Sequence, residues 1–132
     1  MMQRSGRRIL IGVGIGAFAG ISLITGVLPF VITRLFGINS FEILLLVGGF
    51  TLPVALLWAV GGGLIGRQGG PFQGGLVLGL CGALSGLAVG VFALGGSMSL
   101  LLTGLLCGSI YGAIGGILIG YAFPSELEGR EE

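Results

Sequence analysis

The residues able to do chemistry are few. The chain has no His, Lys or Asp; six Arg and five Glu carry all its side-chain charge, and there are two Cys. Common zinc, copper and non-haem iron sites need clusters that this composition cannot supply. A His-ligated haem, a Ser-His-Asp triad and a lysine Schiff base are excluded on the same ground. No catalytic, cofactor-binding or metal-binding set is expected, and the chain does not read as an enzyme. A net charge of +1 with no basic stripe gives nucleic acid nothing to hold.

Glu42 is the one acid beside an apolar stretch. In Asn39-Ser40-Phe41-Glu42 it stands three residues after a helix-capping Asn39, a variant of the capping box, where its charge also favours the helix dipole. The alternative chemistry is an ion-coupling carboxylate, but Glu42 lies at an edge and not at the midplane. Arg34 is its available surface partner. Cys81 and Cys107 are expected to differ in depth by roughly 10 Å at 1.5 Å per residue, too far apart for a disulfide. Ser22, Thr25, Thr51, Ser85, Thr103 and Ser109 either bond preceding carbonyls or cross to a neighbouring helix. Trp58 and Tyr111 lie deep enough that their N–H and O–H need partners inside the bundle.

The elements that position these groups follow from composition. Of 132 residues, 54% are hydrophobic and 8% charged, where a soluble domain carries about 25% charged residues. Mean hydropathy is +1.12. A chain this small has too little interior to hide that much apolar surface, so its solvent is lipid. Four apolar stretches, about 9–32, 41–66, 75–94 and 99–123, are long enough for a hydrocarbon core that needs roughly 20 helical residues. Short connections make consecutive helices antiparallel neighbours. The expected fold is an all-α integral membrane protein: one domain of four transmembrane helices, with short tails at 1–8 and 124–132. Ala17-Phe18-Ala19 imitates a signal-peptide cleavage site, but the apolar run continues past it, so the first stretch reads as an uncleaved helix.

Small residues four apart supply the packing pattern. The first stretch has Gly12, Gly16 and Gly20, the third Gly82, Gly86 and Gly90, and the fourth Gly104, Gly108, Gly112, Gly116 and Gly120. In lipid, such GxxxG ladders let helix backbones approach, so the expectation is a glycine-zipper bundle. The ladders either hold the chain's own helices together or present at least one face to another subunit. Gly16–Ile21 resembles Gly82–Leu87, and Gly62–Gly66 resembles Gly116–Gly120, as two tandem helical hairpins would produce. Pro29 and Pro53 interrupt the first and second stretches; each removes a backbone donor and clashes with the carbonyl four residues back. Each reads as a kink, and for Pro53 the alternative is a broken helix that offers carbonyls to a substrate.

Arg4, Arg7, Arg8, Arg67 and Arg130 fall on one side of such a bundle and Arg34 alone on the other. The positive-inside rule then places both termini inside, in a bacterial inner membrane or a thylakoid. Proton-coupled small multidrug exporters and rotor-ring proteolipids need a membrane-embedded carboxylate, and the first, third and fourth stretches contain no acid. The function expected is a non-catalytic accessory or scaffolding subunit of a larger membrane complex. Its partners would be the lipid bilayer and other membrane subunits or copies of itself, met through Gly-rich faces. The alternative is a small homo-oligomeric transporter or channel for a neutral or lipid-like solute.

Overall fold

A computed structural model describes residues 2–123. The expected tail 124–132, with Arg130, lies outside the described residues. The described chain is helical, in the order α1 (Met2–Ser22), a π-helical segment (Leu23–Val27), α2 (Leu28–Phe36), α3 (Ser40–Gly48), α4 (Thr51–Gln68), α5 (Pro71–Phe92) and α6 (Met98–Ala122). Three helical runs are long and apolar enough to cross a membrane: Gly6–Phe36, Pro71–Phe92 and Met98–Ala122. Phe41–Gly48 and Thr51–Gln68 qualify together as a fourth, bent by 67°. The helices are compatible with a multi-pass membrane protein, with three or four candidate spans according to how the bent pair is counted.

Both prolines sit where the helix departs from α geometry. Pro29 is in the first turn of α2, directly after the π-helical turns. Widening those turns moves the Thr25 carbonyl away from the pyrrolidine ring, which would otherwise collide with it. At Pro53 the chain breaks instead. α3 ends at Gly48, the Phe50 N–H bonds the Val47 carbonyl, and α4 restarts at Thr51. Pro53 thereby falls in the first turn of a new helix, where a missing N–H costs nothing. The expected continuous stretch 41–66 is therefore two helices and not one kinked rod.

α1 is already helical at Met2, ahead of the expected apolar stretch. Helix propensity and capping end the first helical run at the far side: Gly37 adopts φ 69°, which a side chain would strain, and its N–H bonds the Thr33 carbonyl at 3.0 Å. α5 and α6 are joined by a turn in which Gly95 and Gly96 both have positive φ. Ser97 then caps α6 by accepting the Leu100 N–H.

Helices α1 and α4 form one antiparallel pair and α5 and α6 another. Between the pairs lies a core of Trp58, Leu78, Val89 and Ile65. Leu23, Ile24, Leu28, Ile32, Ile43 and Val47, all fully buried, extend it beneath α2 and α3. Outward-facing positions include many large apolar side chains, such as Leu10, Phe18, Leu52, Leu80 and Ile114, as a lipid-facing surface requires.

Candidate functional site

Trp58, Ser85, Tyr111 and Ser22 converge where the two helix pairs face each other. Trp58 of α4 donates its indole N–H to Ser85 Oγ of α5 at 3.0 Å, and Ser85 passes its own proton to the Cys81 carbonyl at 2.7 Å. Tyr111 of α6 and Ser22 of α1 lie 2.6 Å apart through their hydroxyls, while Ser22 donates to the Ala19 carbonyl at 2.8 Å. A serine has one hydroxyl hydrogen. Since that of Ser22 goes to Ala19, Tyr111 is the donor to Ser22.

Each bond joins one helix pair to the other, and each has the same construction: aromatic donor, serine relay, backbone carbonyl. The Trp58 and Tyr111 rings meet between them, with centroids 5.9 Å apart and planes at 42°. Trp58 and Ser85 are buried, whereas Ser22 and Tyr111 are half-buried. Interhelical hydrogen bonds in lipid average about 0.6 kcal/mol, so the energetic gain is modest and the geometric one larger: four helices are held at one register. Chemically the junction is saturated, because every hydroxyl and indole proton already has an acceptor. It can clamp; it offers neither a nucleophile with a base nor a proton to lend.

Around this junction the ladder glycines lie at the helix contacts. A Cβ added to Gly12 would meet the carbonyl of Gly62, and one on Gly16 the carbonyl of Trp58. Gly20 lies under the Trp58 side chain. In the second pair Gly82 faces Gly108, Gly86 faces Gly104, Gly116 faces Gly74, Gly112 faces the Leu78 carbonyl and Gly120 faces Gly70 and Pro71. Gly90 packs on Leu101. Each named ladder residue therefore has a neighbour within the chain. Gly62, Gly66, Gly70 and Gly74, themselves spaced by four residues, complete the contacts. Gly14, Gly26, Gly48, Gly49 and Gly115 have open space where a side chain would be.

The remaining candidates lie apart from the junction. Asn39 caps α3 by accepting the Phe41 N–H at 3.1 Å, with Glu42 in the first turn. No ion pair joins Glu42 to Arg34; the Arg34 guanidinium instead lies over the Phe30 ring, 5.4 Å from its centroid. At the opposite end Arg8 lies 5.5 Å from the Phe123 centroid. Cys81 and Cys107 are both free thiols, the first within 3.9 Å of the Leu57 carbonyl. Among the described residues no three His, Cys, Asp or Glu side chains gather as metal ligands. Comparison of the chain with protein-family models, with curated proteins and with solved structures finds no match.

Proposed function

We propose that the chain is a four-span, glycine-zipper-packed membrane subunit that serves as a non-catalytic structural component of a larger assembly. Both termini lie on the cytoplasmic or stromal side, as the distribution of Arg requires, in a bacterial inner membrane or a thylakoid. One observation carries the reading. The interior is occupied by backbone-to-backbone contact and by a junction whose polar hydrogens are all engaged. What such a molecule offers its surroundings is its outside. The ladders are spent within the chain, so partner helices would meet the outer apolar faces, such as the exposed α1 stripe of Leu10 and Phe18 with Gly14 between them.

A second reading, a small transporter or channel for a neutral or lipid-like solute, is favoured by the 67° break between α3 and α4. Broken helices at mid-membrane are where transporters hold substrates. Purification in mild detergent followed by native mass spectrometry separates the two. A stoichiometric foreign membrane chain is the expected result. A clean homo-oligomer, or a monomer that moves solute in liposomes, would replace the scaffold with the transporter.

A further inference from the structure

A groove lies on the outside of the bundle between the π-helical turns, the start of α2 and the first half of α3. Its walls are Thr25, Gly26, Pro29, Phe30, Phe41 and Leu44, and its volume is about 320 Å³. Gly26 contributes no side chain and has nothing within 4 Å of where one would be. Pro29 holds the turn open, and the Phe30 and Phe41 rings stand on either side of the cleft, both largely exposed. Thr25 is the one polar side chain among them, and its hydroxyl is already committed to the Ile21 carbonyl at 2.7 Å. The cleft therefore presents hydrocarbon to whatever fills it.

Its mouth carries a charge. Arg34 lies over Phe30, itself a groove wall, and has no carboxylate partner among the described residues. The other described cations, Arg7, Arg8 and Arg67, belong to the far end, where the start of α1 meets the end of α4. From Thr25 to Arg34 the helix rises about 14 Å at 1.5 Å per residue. That is close to one leaflet of a hydrocarbon core about 30 Å thick. A cleft of this volume is at the small end of ligand sites and too narrow for a helix some 10 Å across.

From these features we infer that the groove seats one acyl chain of an anionic phospholipid, whose headgroup phosphate pairs with Arg34. The occupant is a lipid and not a partner helix because the cleft is small and apolar, and over its Phe30 wall stands a guanidinium with no carboxylate partner among the described residues, about one leaflet's rise from Thr25. A guanidinium matches a phosphate with two parallel hydrogen bonds, and its stacking on Phe30 fixes it at the mouth.

The test is native mass spectrometry from detergent micelles doped with either phosphatidylglycerol or phosphatidylcholine. The wild-type chain should retain one phosphatidylglycerol about five-fold more often than phosphatidylcholine, the factor expected of one basic residue at an anionic surface. Arg34→Gln should abolish that preference while still retaining one lipid of either kind. Gly26→Leu should fill the groove and lose the lipid, and Gly14→Leu, equally open but elsewhere on the surface, should keep it. Emission from Trp58, the only tryptophan, reports that each variant remains folded. Equal retention of the two lipids by the wild type, or an undiminished preference in Arg34→Gln, overturns the role of Arg34 and with it the proposal. Lipid retained by folded Gly26→Leu overturns the groove as the seat. So does a wild-type dimer that Gly26→Leu turns into monomers, because the face would then be covered by a second copy.

Discussion

Helix pairs α1–α4 and α5–α6 are built on the same small-residue spacing, yet only one keeps it from end to end. In α5–α6, glycine backbones meet from Gly120 at Gly70 to Gly86 at Gly104, and Gly90 continues the row on Leu101. Both helices are unbroken. In α1–α4 the close contact runs from Gly66 at Arg8 to Gly16 at Trp58, and then gives way to the indole over Gly20. Beyond that level α1 widens into π turns and α4 has no continuation in line. The difference teaches that the ladder governs only part of the first pair. Where it stops, large apolar side chains such as Leu23, Ile24, Ile43 and Val47 take over, and irregular backbone becomes tolerable because it is packed against protein.

The largest expected effect is in the uninterrupted pair. Gly112→Leu puts a four-carbon side chain against the Leu78 carbonyl, which cannot move aside. Overpacking of this kind costs about 1–3 kcal/mol and occasionally more. Ile117→Leu, at a more exposed position of the same helix, conserves volume and should cost less than about 1.5 kcal/mol. Size-exclusion profiles at rising detergent strength should show Gly112→Leu aggregating under conditions that Ile117→Leu survives. Equal behaviour would mean that the glycine contact contributes nothing to the difference between the pairs.

Next come the two bonds that tie the pairs together. Trp58→Phe removes the donor to Ser85 and leaves a void at a fully buried position. Tyr111→Phe removes only a hydroxyl from a half-buried one. Tyr111→Phe should cost about 0.6 kcal/mol, the average for such bonds. Trp58→Phe should cost distinctly more, by the cavity it leaves. Steric-trap or denaturant unfolding in micelles would rank them, and the reverse order would place the more important clamp on the half-buried side.

The smallest expected effect is at the break. Pro53→Ala gains a donor that a first-turn position does not use, so stability should change by less than about 1 kcal/mol. The bend should persist, because burial of Ile43 and Val47 holds α3 in place. Spin labels at Leu45 and Val60, both exposed, should give the same distance distribution with and without the proline. A longer distance in Pro53→Ala would make the proline, and not the packing of α3, the cause of the divergence between the two pairs.

Much of this was legible in the residues themselves. Apolar run lengths found long apolar helices, three as single candidate spans and the fourth only as a bent pair, and the depth of Trp58 and Tyr111 required interior partners for them. Asn39 announced the start of α3, where it caps the helix. Periodicity, however, identifies a face and not its neighbour. Nothing in the spacing of Gly104 to Gly120 says that α5 covers it, and Ser22 could equally have been content with its own helix. The break was only half visible. Pro53 marked a disturbance, but whether a helix bends, widens or stops depends on what receives its displaced half, and Ile43 and Val47 do that through contacts distant in sequence.

The opposed glycines of α5 and α6 advance in steps of four residues along both helices, which gives the contact the character of a toothed rack. Sliding by one tooth, about 6 Å, would bring small residues together again, with Gly82 opposite Gly112 and Gly86 opposite Gly108. The short Gly95–Gly96 turn acts as the pawl, because it leaves no slack for such a slide. A single-residue insertion inside either helix would do worse than slide it. It would rotate every later tooth by about 100° and, in α6, turn residues such as Cys107, Tyr111 and Ile119 against the opposing backbone in place of the glycines that follow them. Changes in length are therefore confined to the connections, while the helices themselves can vary only by substitution.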